Sequence, residues 1–217
     1  MANTVVSHMD RPGVSSVSNT GLLVGFFFLV WFALVLGLAA LGVFVTPPGK
    51  PPLGLLVGLG VPLGLFLVGY WASPALREFI LSADLRLIVG LQAWRWAGFG
   101  FLTLYAYGIL PGLFAWPAGL GDMAIGVTAP LVLARLLRQP GFATSRSFVT
   151  WNLLGILDLT VAVSIGAIVP LVDLNLFGGI STEPMTRLPL VLIPTFLVPS
   201  FLILHLTALF KARRLQP

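Results

Sequence analysis

Six long apolar runs separated by short polar segments dominate the hydrophobicity pattern of this chain. Each run exceeds the length of about 18 residues that an α-helix needs to cross the hydrocarbon core of a bilayer. The runs are continuous rather than alternating, which favours helices over the strands of a membrane barrel. The pattern predicts an all-α polytopic bundle, one transmembrane domain over residues 21–210, with six spans at 21–45, 53–72, 87–110, 117–137, 148–172 and 188–210.

The two ends of the chain are polar. Residues 1–20 are rich in Ser, Asn and Thr, with Asp10 and Arg11 as their charged side chains, and this predicts a disordered tail. Residues 211–217 form a short basic tail. The first apolar run is longer than the roughly 7–15 residues of a signal-peptide core, so we expect it to be retained as a helix.

Composition supports the membrane class. Hydrophobic residues make up 58% of the chain and charged residues 9%, whereas about a quarter of the residues of a soluble domain are charged. The net charge of +5 comes from scattered Lys and Arg without a basic stripe, so we expect a lipid bilayer and no nucleic acid as partner. The chain has no Cys, which excludes disulfides and thiolate chemistry.

The distribution of Lys and Arg predicts the orientation. With six spans, nine of these residues fall on one face and only Lys50 and Arg187 on the other. Because cytoplasmic loops carry the excess of positive charge, both termini are expected in the cytoplasm. The nine are Arg11, Arg77, Arg86, Arg135, Arg138, Arg146, Lys211, Arg213 and Arg214.

Local signals refine three regions. Ser73 followed by Pro74 is typical of a helix start and predicts a short interfacial helix before the third span, or else an extension of that span. The second span contains Gly54xxxGly58 and Gly60xxxGly64, which favour close packing inside the bundle or, alternatively, a homodimer face. In the last span, Pro194 and Pro199 predict a kink or free carbonyl groups.

The segment from Gly108 to Asp122 joins the third and fourth spans and is apolar until its last residue. Two prolines and four glycines argue against a regular helix, so we expect irregular backbone at membrane depth, which is tolerated where it lines a cavity. The alternative is that Asp122 caps the fourth helix near the outer interface and Trp116 lies in the aromatic belt.

Asp158 lies near the middle of the fifth span, where a carboxyl group should face the bundle interior, either paired or protonated. Arg95, inside the third span, is expected at a similar depth and is therefore its natural partner. The pair either belongs to a functional site or only fixes the register of the helices.

Five more polar residues lie inside the predicted spans, and their depth in the membrane can be estimated in the same way. We expect Gln92, Asn152 and His205 in the inner half, with Thr160 and Ser164 continuing outward along the fifth span. Together they predict a polar path or cavity, although each alone is also explained by a bond between helices, and His205 by a position near the inner interface.

Several chemistries are excluded by what the chain lacks. His8 lies in the N-terminal tail and His205 near the end of the last span, so no pair of histidines is available for a haem sandwich or a His-rich di-iron centre. No phosphate-binding GxxxxGK[ST] motif occurs, and neither Lys50 nor Lys211 is placed for a retinal Schiff base. We therefore expect no metal, no cofactor and no catalytic residue.

Residues 92–165 carry the pattern LP...PAGxGD, which ends at Asp122, and then WNxxGxxD, which ends at Asp158. This combination resembles a family of uncharacterised bacterial integral membrane proteins. The resemblance implies location in the bacterial inner membrane and implies no activity.

The leading functional hypothesis is transport or permeation of a small solute, coupled to protons, with Arg95, Asp122 and Asp158 lining an intramembrane cavity. In it, Asp158 is the proton-titrating group. The second hypothesis is a scaffold or accessory subunit of a larger membrane complex. The third is an intramembrane enzyme acting on lipid or quinone through Asp158, Asp122 and His205, for which no nucleophile–base spacing is present.

Overall fold

The computed structural model describes residues 19–47, 49–171 and 179–216. The predicted N-terminal tail therefore lies almost wholly outside the described residues. Throughout the described ranges the regular structure is helical and contains no strand, which confirms the all-α prediction. The helices are α1 (Asn19–Ala40), α2 (Leu53–Ala72), α3 (Pro74–Ser82), α4 (Leu85–Gln92), α5 (Phe99–Ala106), α6 (Gly112–Arg138), α7 (Arg146–Ile168) and α8 (Val198–Arg214).

Four helical segments are long and apolar enough to cross a membrane: Leu53–Ala72, Gly112–Arg138, Arg146–Leu171 and Ile193–Arg214. The first predicted span ends earlier than expected, because α1 stops at Ala40 and a turn with Gly42 at a φ of +73° follows. The third predicted span is divided, since a 3-10 segment, Ala93–Gly98, joins α4 to α5.

Helix α6 is the centre of the bundle and packs against α4, the 3-10 segment, α5 and α7. Two glycines of α6 permit this closeness. A Cβ atom at Gly119 would lie 3.0 Å from the carbonyl oxygen of Gly98, and one at Gly126 would overlap the backbone of Arg95 and Trp96. Glycine therefore stands where α6 and the 3-10 segment touch backbone to backbone.

The expectation of irregular backbone from Gly108 to Asp122 is wrong for most of that segment. Only a short turn is irregular, with Gly108 at a φ of +68°, and α6 runs without interruption from Gly112 to Arg138. Asp122 lies ten residues inside α6, so it does not cap the helix either. Pro111 precedes the first helical residue, where a missing N–H costs nothing.

The short helix α3 begins as predicted. The Ser73 side chain accepts a hydrogen bond from the backbone N–H of Leu76 at 3.2 Å. Helix α3 ends at Ser82, and the Asp84 carboxylate caps α4 by accepting from the N–H of Arg86 at 2.8 Å. Two separate caps show that α3 is a helix of its own rather than an extension of α4.

The last predicted span is irregular at its prolines. A π-helical turn, Ile193–Leu197, contains Pro194 and leads into α8. Thr195, which is fully buried there, donates its hydroxyl to the carbonyl oxygen of Val191 at 2.6 Å. The same carbonyl oxygen also accepts from the backbone N–H of Thr195 at 3.2 Å, so the hydroxyl adds a second bond inside this turn.

The glycine pairs of α2 differ in their surroundings, which makes a matched comparison possible. A Cβ atom at Gly58 would lie 2.8 Å from a methyl carbon of Thr195, whereas one at Gly60 meets nothing within 4 Å among the described residues. We expect Gly58→Leu to lower the free energy of unfolding by roughly 1–3 kcal/mol through overpacking. Gly60→Leu should change it by less than about 0.5 kcal/mol.

Unfolding in mixed detergent micelles, followed by tryptophan fluorescence, checks this comparison. Equal effects of the two substitutions would show that α2 does not pack on the π-helical turn through Gly58.

Candidate functional site

The side chain of Arg95 lies at the centre of a buried polar network and has no exposed surface. The 3-10 segment directs it between α6, α7 and α8. Its Nε donates to the Asp122 carboxylate at 2.7 Å, and its Nη2 donates to the carboxylate of Asp158. The Arg95–Asp158 ion pair that the sequence suggested is therefore present, with Asp122 as a second partner.

The remaining nitrogen of the guanidinium contacts two further groups. Nη1 of Arg95 lies 3.1 Å from Nε2 of His205 and donates to the carbonyl oxygen of Gly155 at 3.4 Å. The ring of Phe201 lies over the guanidinium, with its centroid 5.9 Å from Cζ. All three nitrogens of Arg95 are thus engaged, which offsets the cost of burying the charge.

Glycine residues make room for two members of the network. A Cβ atom at Gly121 would overlap the carboxylate of Asp158, and one at Gly155 would overlap the imidazole of His205. Only glycine therefore allows Asp158 to reach Arg95 past α6, and only glycine lets His205 lie against α7.

The hydrogen bonds determine the proton position on His205. Arginine has no acceptor, so Nε2 of His205 must accept from Arg95 and carries no proton. The proton is then on Nδ1, which lies 2.9 Å from the side-chain oxygen of Asn152. Asn152 in turn donates to the carbonyl oxygen of Phe148 at 2.9 Å. His205 is therefore neutral and fully buried.

Gln92 is fully buried one turn before Arg95. Its amide nitrogen donates to the carbonyl oxygen of Phe201 at 3.5 Å. Its oxygen has no hydrogen-bond partner among the described residues. Gln92 thus borders the network but is not bonded to Arg95.

Two polar residues do not join the network. Thr160 and Ser164 are exposed, and each donates its hydroxyl to a carbonyl oxygen of its own helix. Thr160 donates to Ile156 at 2.8 Å, and Ser164 donates to the backbone carbonyl of Thr160 at 2.7 Å. The expectation that they continue a polar path along α7 is wrong. Serine and threonine in apolar helices often bond back in this way, and the sequence does not reveal which face they occupy.

Charges in the network do not cancel. One guanidinium faces two carboxylates, and the histidine is neutral, so the network carries a formal charge of −1 when both aspartates are ionised. An uncompensated charge inside an apolar bundle is costly. The network therefore favours either one bound proton or a bound cation.

Two cavities meet at Asp122. The larger, about 520 Å³, extends from residues 45–47, 49, 52, 181–183 and 185–187 to Asp122. The smaller, about 430 Å³, lies between the 3-10 segment, α5 and α8. Asp122 keeps 18% of its side-chain surface exposed. Asp158, at 14%, lines neither cavity. Of the two carboxylates, Asp122 is therefore the one that faces these cavities.

Sequence reasoning missed three contributors to this site: the carbonyl group of Gly155, the ring of Phe201 and the absence of a side chain at Gly121. Glycine at 121 and 155 offered a signal, since each lies close in sequence to a network aspartate. Which carbonyl group faces Arg95 depends on how the helices pack. In the part of the chain that the structure describes, no group of His, Asp and Glu residues is arranged to hold a metal ion.

The fold and site define an all-helical protein with membrane-length helices and a buried Arg–Asp–Asp–His network. A family model with the description "Domain of unknown function (DUF8737)" matches residues 52–213, and the chain belongs to this family. This agrees with the expected resemblance to an uncharacterised family. Searches among curated proteins and among solved structures found no match to this chain.

Removal of Arg95 should destabilise the fold because it leaves two buried carboxylates without a cation. We expect Arg95→Gln to cost about 3–5 kcal/mol at neutral pH. The triple variant Arg95→Gln/Asp122→Asn/Asp158→Asn should recover most of this loss, since it removes the charges as well. Unfolding in mixed micelles measures both, and a triple variant no more stable than the single one would contradict the ion-pair account.

The tautomer of His205 is directly measurable. We expect Nδ1 of His205 to be protonated and Nε2 to be unprotonated, because Nε2 accepts from Arg95. Solid-state NMR of ¹⁵N-histidine-labelled protein in liposomes reports both nitrogens, and His8→Asn leaves His205 as the single signal. Two protonated ring nitrogens near neutral pH would contradict the assigned contact.

Proposed function

We propose that this protein is a multi-pass membrane protein that couples proton movement to the permeation of a small solute. The observation that carries the proposal is a buried guanidinium shared by two carboxylates, one of which, Asp122, lines two cavities. A site of this kind exchanges one positive charge for another without leaving a bare carboxylate in the bundle.

The proposed topology has six spans with both termini in the cytoplasm of a bacterial inner membrane. Beyond the four long helices, the support for six spans comes from two further helical segments. The first is formed by α4, the 3-10 segment and α5 in succession, which have eight, six and eight residues. At rises of 1.5 and 2.0 Å per residue these reach roughly 36 Å, more than a ~30 Å hydrocarbon core. Helix α1, with 22 residues, is of similar length. The excess of Lys and Arg on one face supports the orientation.

Proton coupling follows from the charge of the network. With formal charge −1, the Arg95–Asp122–Asp158 group holds either a proton or a cationic solute. The sequence suggested Asp158 as the proton-titrating residue. Its packing against Gly121 and the cavity-facing position of Asp122 favour Asp122 as the group that exchanges its proton, with Asp158 holding Arg95 in place.

Two irregular helical segments border the network. The 3-10 segment carries Arg95, and the π-helical turn lies one turn or more before the α8 residues that contact it. Such segments often mark hinges, because their hydrogen bonds convert to the α-helical pattern at low cost. We propose that opening and closing of the cavities around Asp122 uses these segments.

Proteoliposomes containing a trapped pH indicator test the proposed coupling. Monovalent inorganic cations and small amines are added in turn, and we expect at least one to stimulate proton movement. Asp122→Asn should reduce the stimulated rate by at least about tenfold, since it removes the exchanging carboxylate. The matched control is Glu78→Gln, a carboxylate removed from an exposed ion pair with Arg214.

The scaffold hypothesis remains as a second candidate because the same network ties α6, α7, α8 and the 3-10 segment together. Buried ion pairs that only fix helix register are well documented. Isolation in mild detergent separates the two functions. A stoichiometric partner, combined with proton rates equal to those of empty liposomes for every solute, would replace the transport proposal by the scaffold.

A further inference from the structure

The larger cavity has a mainly apolar wall and is large enough for a small organic molecule. Its wall between the loops and Asp122 is mainly apolar and comes from α2, α5, α6, α7 and the start of α8. At about 520 Å³ it falls within the range of sites that take drug-sized molecules, about 300–1,000 Å³. Its apolar lining includes Leu59, Phe101, Phe114, Ala162, Val163 and Val198.

Charge is present at both ends of this cavity, but only one end has an excess. At the loop end, Arg187 donates to Glu183 at 2.5 Å, so these two charges compensate each other. At the inner end, Asp122 shares the single charge of Arg95 with Asp158. Among the described residues, the oxygen of Asp122 that does not face Arg95 accepts no hydrogen bond.

We propose that this cavity binds a monovalent organic cation with a bulky apolar body, whose charge lies against Asp122. This inference rests on the proposed function in so far as it takes Asp122 as the ion-handling carboxylate. The apolar wall buries the body of the ligand, and the ligand charge neutralises the −1 network. Electrostatic attraction is strengthened there because the surroundings have a low dielectric constant.

Other ligand classes fit less well. A neutral apolar molecule or lipid chain would fill the wall but leave the network uncompensated. An organic anion would be repelled by Asp122 and Asp158. A small inorganic cation would match the charge but leave the apolar wall without contacts. The combination of apolar volume and one excess negative charge selects a lipophilic cation.

Equilibrium binding of radiolabelled tetraphenylphosphonium to the full chain in lipid nanodiscs tests the inference. Empty nanodiscs correct for partition into lipid. Tetraphenylborate, an anion of the same shape, is the matched ligand control. We expect saturable binding of the cation at one site per chain and no saturable binding of the anion.

Three variants locate the site. Asp122→Asn should weaken binding of the cation by at least about tenfold because it removes the charge partner. Ala162→Phe removes no charge and no hydrogen bond of the Arg95 network, and it should do the same by filling the cavity. It keeps the test valid if Asp122→Asn does not fold. Glu78→Gln, remote from the cavity, should bind like the unmodified chain.

Four results would overturn the inference: no saturable binding of the cation, equal binding of tetraphenylborate, unchanged affinity in Ala162→Phe, or loss of affinity in Glu183→Gln without loss in a folded Asp122→Asn. Equal binding of both ions would indicate an apolar site for a lipid chain. Binding without solute-stimulated proton movement would uphold this site and contradict the transport function. Proton movement with small amines but no binding of tetraphenylphosphonium would uphold the transport function and contradict this site.

Discussion

The guanidinium of Arg95 is the group on which the arrangement of the bundle depends. An arginine cannot lose its proton inside a protein, so a fully buried Arg95 requires acceptors on every side. Asp122 from α6, Asp158 from α7 and His205 from α8 provide them, and their positions set how these three helices approach the 3-10 segment. The same demand leaves one carboxylate charge in excess, which connects the packing of the helices with the proposed function.

Glycine makes this arrangement sterically possible. Gly121 and Gly155 leave the space that the Asp158 carboxylate and the His205 ring occupy, and Gly126 lets α6 touch the backbone at Arg95. The glycines of the PAGxGD and WNxxGxxD patterns therefore have a packing role beside the aspartates that end these patterns. In α2 the glycines differ in their surroundings, since Gly58 is packed against Thr195 while Gly60 has no described neighbour within 4 Å of a Cβ position.

The errors of sequence reasoning have a common physical origin. Glycine and proline between Gly108 and Asp122 predicted irregular backbone, yet α6 is regular there because its glycines serve contacts with neighbours and Pro111 precedes the helix. Conversely, nothing in the sequence around Arg95 predicted a 3-10 segment. Local amino-acid composition indicates which backbone conformations are allowed, whereas contacts between helices decide which of these conformations forms.

The sequence by itself determined the helical class, the cap at Ser73, the irregularity at Pro194 and the expectation that Arg95 and Asp158 pair. These follow from hydrophobic length, local hydrogen bonding and the cost of a lone charge among apolar residues. Only the tertiary structure decided that Asp122 is a second partner of Arg95 and lines both cavities, and that Thr160 and Ser164 face away. The direction in which a side chain points depends on how each helix is rotated, and helix rotation is set by packing between segments distant in sequence.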